Sequence, residues 1–291
     1  MAGRVRLLGA LGVALACAPQ ARVPPLPNAP SSTARALLPV TAALGTVATR
    51  TAPAPPPVSS TSQDIEPAPR AESEPRFELA VPDFLPAVVQ LPSVVEPAPV
   101  LIVAHGAGGT AEAHCDLWAR VAADSAILLC LRGRAVGPSE ADGSYYPDHH
   151  ALERETFAAL GALRARLGER IATGPVAYAG FSQGATMGSL MLVAHASEVT
   201  RLLLVEGGFS DWNLARAQAF KEAGGERVLF VCGRKECETP ARLAAHWFTS
   251  AGVNAHVEYV PGAGHTHGEP IEARLKASFP WFIEGDARWA R

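Results

Sequence analysis

Val100-Leu-Ile-Val-Ala104 is apolar without a break. A strand with one wet face alternates apolar and polar side chains, so an unbroken aliphatic run has to be covered on both faces. Strands built on such runs are expected at 126–131, at 200–205 around Leu202-Leu-Leu-Val205, at 227–232 around Val228-Leu-Phe-Val-Cys232, and over the shorter stretch 176–179. Helical patterns lie between them, at 111–123, 151–167 and 239–251, and after residue 182, where Met187, Leu190, Met191 and Ala194 share a face. A strand at 256–260 and a C-terminal helix complete the series. Buried strands alternating with helices predict an α/β chain: a doubly wound, mainly parallel sheet with helices on both sides. Only about 20 residues separate the run ending near Val205 from the one starting at Arg227. That is room for one helix and not for a large cap domain. Ligands of such sheets bind at the C-terminal ends of the strands, so the residues that follow each run are the ones to inspect.

The N-terminal quarter reads differently. Arg4 and Arg6 precede an apolar run from Leu7 to Ala16, too short to span a bilayer, which takes about 20 apolar residues. Charge followed by a short apolar stretch is the pattern of a secretory signal peptide, here residues 1–16. Ala14-Leu15-Ala16 fits the small-x-small cleavage pattern, with the cut before Cys17. The expectation is an exported protein, either secreted or held in the cell envelope as a lipoprotein through an acylated Cys17. Residues 17–75 are rich in Pro, Ser and Thr, with Thr51-Ala-Pro-Ala-Pro-Pro-Pro57 at their centre. They read as a disordered tether, because such composition buries too little surface to offset chain entropy. A folded domain is expected over 76–291. Lys and Arg number 25 against 28 Asp and Glu, and no basic run stands out, which argues against a nucleic-acid partner.

Beyond Cys17 the chain has Cys115, Cys130, Cys232 and Cys237. An even number in an oxidising compartment favours disulfides, with three ways to pair four thiols. The short separation of Cys232 and Cys237 makes them the obvious local pair and leaves Cys115 to Cys130. Four buried thiols acting as small hydrophobes are the alternative.

The chemistry-bearing residues fall where the strands end. Gly180-Phe-Ser-Gln-Gly184 stands between a strand and a helix, the setting in which Gly-x-Ser-x-Gly forms a nucleophile elbow. Ser182 is the expected nucleophile; otherwise it is a helix N-cap. His105-Gly-Ala-Gly-Gly109 closes an earlier strand. Backbone N–H groups in such a turn can converge on an oxyanion, and Ala107 and Gln183 are the expected donors. No Lys-Ser or Lys-Thr follows to suggest a phosphate loop. A serine needs a base within hydrogen-bond reach, for which His265 is the candidate and His267 the substitute. The base needs a carboxylate on its far nitrogen. Glu236, in Gly233-Arg-Lys-Glu236-Cys-Glu238-Thr-Pro240, is the first choice and Glu238 the second. Glu206 or Asp211, after the preceding strand, would serve if neither does. Asp148-His149-His150, His265-x-His267 and His114 also contain metal-type donors, but no pair has the helical His-Glu-x-x-His spacing.

With these motifs in order, the chain from Val100 onward resembles the α/β-hydrolase superfamily, near the carboxylesterases, dienelactone hydrolases and polyhydroxybutyrate-depolymerase-like members. The His-Gly turn matches His105 to Gly109, the elbow Gly180 to Gly184, and a Gly-Gly-His-like segment Gly262 to His265. The acid loop of those families usually reads Gly-x-x-Asp-x-x-x-Pro, and Glu236 stands in for the Asp. The resemblance implies hydrolysis of a small-molecule carboxylic ester or thioester by a serine enzyme, with no cofactor and no metal. A peptidase of the same fold and a non-catalytic binding protein are the other readings. The loop 132–150, with Tyr145 and Tyr146, leaves the sheet at its site edge and is expected either to contribute a substrate wall or to be a solvated surface loop.

Overall fold

The computed structural model describes residues 75–93, 96–139 and 142–289. The expected signal peptide, Cys17 and the expected tether up to residue 74 lie outside the described residues. The central sheet has eight strands: β1 (Arg76–Leu79), β2 (Ala87–Gln90), β3 (Val100–Ala104), β4 (Ile127–Cys130), β7 (Val176–Phe181), β8 (Val199–Val205), β9 (Arg227–Cys232) and β10 (Asn254–Tyr259). Their spatial order is β1-β2-β4-β3-β7-β8-β9-β10. Contacts of β2 with β1 and with β4 are antiparallel, and all the others are parallel. β1 and β2 were not foreseen from the apolar runs. A separate two-stranded hairpin pairs β5 (Arg134–Ala135) with β6 (Ser144–Tyr145).

Strict alternation within each buried run divides the core in two. Val100, Ile102 and Ala104 of β3 join one apolar cluster, while Leu101 and Val103 join the other. The first cluster is covered by α2 (His149–Leu167), α3 (Gln183–Met191), α4 (Leu214–Glu222) and α5 (Lys235–Ser250), through residues such as Leu160, Met191, Phe220 and Phe248. The second lies under α1 (Ala111–Ala122) and α6 (Glu269–Ile283), through Trp118, Val121, Leu275 and Phe282. Each large side chain taken out of water contributes about 1.5–3 kcal/mol, so both faces of a central strand must be covered for it to hold. This is the doubly wound sheet that the unbroken runs predict.

Side-chain caps set three of the helix starts. Thr110 caps α1 by accepting from the Ala113 N–H, Asp148 caps α2 by accepting from Ala151, and Asn213 caps α4 by accepting from Arg216. The start of α5 departs from the sequence expectation. A helix beginning near Thr239 is the sequence expectation, but it begins at Lys235 and carries Pro240 inside it. A proline ring deletes one backbone hydrogen bond and normally breaks a helix interior. Here Glu236 and Glu238 in the first turn complement the positive helix end, and Cys237 is bonded to Cys232 at the end of β9. Cys115 of α1 is bonded to Cys130 of β4. Among the described residues no helix is long and apolar enough to cross a membrane.

Candidate active site

Register brings three strand ends to one level. Phe181 of β7 lies opposite Val205 of β8, and Val205 opposite Val231 of β9. The next residues along β7 and β8, Ser182 and Glu206, are therefore neighbours at the C-terminal edge of the sheet. The Ser182 N–H donates to the Val205 carbonyl (2.8 Å) and the Glu206 N–H to the Val231 carbonyl (3.0 Å).

Ser182 has φ 49° and ψ −107°, a left-handed conformation that a non-glycine residue adopts only when its surroundings enforce it. The surroundings here are tight. A Cβ on Gly180 would lie 2.6 Å from the Ala185 nitrogen, and one on Gly184 would lie 2.5 Å from the Ala104 carbonyl oxygen. The two glycines of the motif thus permit the sharp strand-to-helix turn that lifts the serine out of the sheet.

The turn 105–109 is fastened to this elbow and to the β5–β6 hairpin. The Gly184 N–H donates to the His105 carbonyl (3.1 Å), and Gly108 N–H to the Ser144 carbonyl (2.8 Å). Gly106 has no room for a side chain, since a Cβ there would meet the Phe181 ring at 2.8 Å and the Ser182 Cβ at 3.1 Å. The turn consequently lies directly against the serine. Within it the Ala107 N–H, and at the start of α3 the Gln183 N–H, donate to no partner among the described residues. They are the two backbone donors that the sequence singles out, and both are left available beside Ser182.

His265 follows β10 in the loop 260–268. Its Nε2 is 2.8 Å from Ser182 Oγ and its Nδ1 is 2.9 Å from Glu206 Oε2. His267 does not take this place. Its ring stacks on Phe181 at 4.8 Å and lies 4.5 Å from the His114 ring. Both are held below the ordinary histidine range, His267 chiefly by burial, and His114 down to about 3 by burial and the neighbouring imidazoles.

The acid is where the sequence expectation needs correcting. The carboxylate on His265 belongs to Glu206, not to Glu236. Glu236 is exposed in the first turn of α5, on a helix that the apparent breaker Pro240 does not stop. Glu238 is also turned away, in ion pairs with Lys235 (2.5 Å) and Arg242 (2.7 Å). Glu206 itself has φ 54° and a side chain with no exposed surface. Its Oε1 accepts from the backbone N–H groups of Gly233 and Arg234. Its Oε2 accepts from Arg234 Nε at 2.7 Å as well as facing His265. Burial is the largest influence and opposes its charge, but the Gly233 amide, His265 and Arg234 together outweigh it and hold the carboxyl below the usual Glu range.

The expected place of Tyr146 in a substrate wall also needs correction. Tyr146 is 1% exposed. It stacks on His105 at 4.7 Å, its hydroxyl donates to the Leu131 carbonyl and accepts from the His105 N–H, and its backbone N–H donates to Gln183 Oε1. A tyrosine so placed supports the 105–109 turn from beneath and presents nothing to a ligand. Its hydrogen-bonding hydroxyl is what allows an aromatic residue from a polar loop to be buried. Tyr145 is half-buried in β6 and adjoins the Ser144 that bridges Gly109.

Sheet order, helix placement and a serine elbow after β7 define the α/β-hydrolase fold. No family model and no curated protein sequence matches the chain. Solved structures do. Esterase PE8 superposes with a TM-score of 0.54 at 17% identity, over 71% of this chain and 100% of its own. Est1E from Butyrivibrio proteoclasticus gives 0.52 at 14% identity, over 72% and 99%. A carboxylesterase from Mesorhizobium loti gives 0.50 at 21% identity, over 71% and 99%. At such identities the likeness is one of fold, and function must be argued from the site.

Proposed function

We propose that this protein is a serine hydrolase that cleaves a carboxylic ester or thioester of a small molecule through an acyl-enzyme on Ser182. The observation that carries the reading is the unbroken chain from Ser182 Oγ through both nitrogens of His265 to the buried Glu206 carboxylate. With Nδ1–H donated to Glu206, Nε2 has its lone pair free to take the Ser182 proton as Oγ attacks the acyl carbon. The charge that then develops on the carbonyl oxygen is received by the Ala107 and Gln183 N–H groups, which have no other partner to give up among the described residues. His265 returns its proton to the departing alcohol or thiol. Water repeats the attack on the acyl-enzyme, releasing the acid and restoring Ser182. Every proton in this cycle moves between Ser182, His265, water and substrate, so the reading assigns no step to a cofactor. The esterases among the structural neighbours make ester cleavage the favoured class.

Export is part of the proposal. The two disulfides support it, because such bonds persist in oxidising compartments. Attachment through an acylated Cys17 is the form in which the chain would remain at a membrane surface. The test of the enzymatic reading is hydrolysis of nitrophenyl esters of graded acyl length. Ser182→Ala is expected to keep the fold and lose on the order of 10⁴-fold or more in turnover. Activity within tenfold of the parent protein would overturn the reading.

A further inference from the structure

The strand end after β9, where the sequence pattern places the expected acid, presents Gly233-Arg234 to the site, while the carboxylate that faces His265 stands one strand nearer the serine, after β8. A guanidinium has taken up a position beside the displaced carboxylate. Resting on the proposed hydrolase reading, we infer that Arg234 is a positioning residue that acts through Glu206, and that the two residues together replace the single acid of the expected arrangement.

Glu206 cannot hold itself in place. Its backbone is left-handed at φ 54°, its side chain is fully buried, and burial works against its charge. A buried carboxylate has to be satisfied by donors or it swings out or protonates. Four donors meet it, and Arg234 supplies two of them: its backbone N–H on Oε1 at 3.2 Å and its Nε on Oε2 at 2.7 Å. The Nε bond falls on the oxygen that also faces His265, so it fixes the plane of the carboxylate at the point where direction matters. Arg234 Nη2 additionally reaches to 2.7 Å from His265 Nδ1. A guanidinium only donates, so Nδ1 can face it as an acceptor or donate to Glu206, but not both. Donation to Glu206 spares the buried carboxylate oxygen from facing a nitrogen lone pair, and it is the arrangement that leaves Nε2 free for Ser182.

The loop that carries Arg234 is fastened at three points. Cys232 and Cys237 close it covalently. The Gly264 N–H donates to the Gly233 carbonyl, and a Cβ on Gly233 would lie 2.3 Å from the Gly264 carbonyl oxygen, which ties the arginine loop to the loop of His265. Lys235, the next residue, is committed to Glu238. Placement of the guanidinium is thus built into the loop.

The experiment compares Arg234→Ala, Arg234→Lys and Glu206→Gln with the parent on one nitrophenyl ester, with and without millimolar guanidinium chloride. Arg234→Ala is expected to lose roughly 10- to 100-fold in kcat with KM within about twofold, since geometry and not substrate binding is lost. Added guanidinium should restore several-fold of that loss, and Arg234→Lys should fall between the parent and the alanine variant. Glu206→Gln should not respond to guanidinium, because the group to be positioned is gone. A kcat for Arg234→Ala within twofold of the parent, or a loss confined to KM, overturns the inference and leaves the hydrolase reading intact. A parent that hydrolyses no ester and leaves Ser182 unlabelled by a fluorophosphonate overturns the hydrolase reading itself.

Discussion

At the scale of the residue, the site turns on which carboxylate faces His265. Glu206→Gln keeps the shape but removes the charge that stabilises the imidazolium, a change worth up to about 10⁴-fold in turnover. Glu236→Gln, exposed on α5, is expected to stay within about twofold of the parent; kinetics on one ester decides between them. The reverse ranking would return the acid to α5. The same variant carries a pH signature. Glu206 is held below its ordinary value in the folded protein, so its contribution to stability is fully present above about pH 4.3, the usual Glu value, and is lost as pH falls through the lower folded value. Unfolding midpoints of the parent and Glu206→Gln should converge at acidic pH and diverge towards neutrality; a constant gap would contradict the assignment. Ser182 and His265 were legible in the sequence because each follows a strand in a glycine-bounded motif. Glu206 was only a reserve candidate, since its motif is no more than a carboxylate closing the run Leu202-Leu-Leu-Val205. A charged residue capping a fully buried strand at the ligand edge of the sheet was the available signal. Tyr146 differs from its expected place for a related reason: a polar loop conceals a buried residue whose hydroxyl finds its partners inside the protein.

Elements decide how those residues are held. The start of α5 was hidden by Pro240, which reads as a breaker in sequence but is accommodated in a helix whose first turn is bonded to β9 through Cys237. The two disulfides do different work. Cys115–Cys130 spans 15 positions and joins a surface helix to the sheet, whereas Cys232–Cys237 spans 5 and closes the loop that donates to Glu206. By chain-entropy scaling the longer closure contributes about 3 kcal/mol and the shorter about 2 kcal/mol. The paired variants Cys115→Ala with Cys130→Ala, and Cys232→Ala with Cys237→Ala, should therefore rank oppositely in two measurements. The first pair should lower the denaturation midpoint more, and the second should lower kcat more. Equal loss of kcat in both would show that the 232–237 closure has no particular bearing on the acid.

For the whole molecule, the unbroken apolar runs carried most of the information. They implied a sheet covered on both faces, and the alternation of Val100, Ile102 and Ala104 with Leu101 and Val103 between two core clusters is how the structure meets that demand. The short strands β1 and β2, four residues each and one of them at the sheet edge, leave little periodicity to read. What sequence spacing does not encode is the register between strands, and register is what sets Ser182 beside Glu206. The proposed reaction rests on Ser182 acting as a nucleophile activated by His265. Peptide mapping after treatment with a fluorophosphonate tests this most directly. The prediction is one adduct, on Ser182, formed rapidly by the parent and slowed by at least a hundredfold in His265→Ala. An unlabelled Ser182 in folded protein, or labelling that is indifferent to His265, would contradict it.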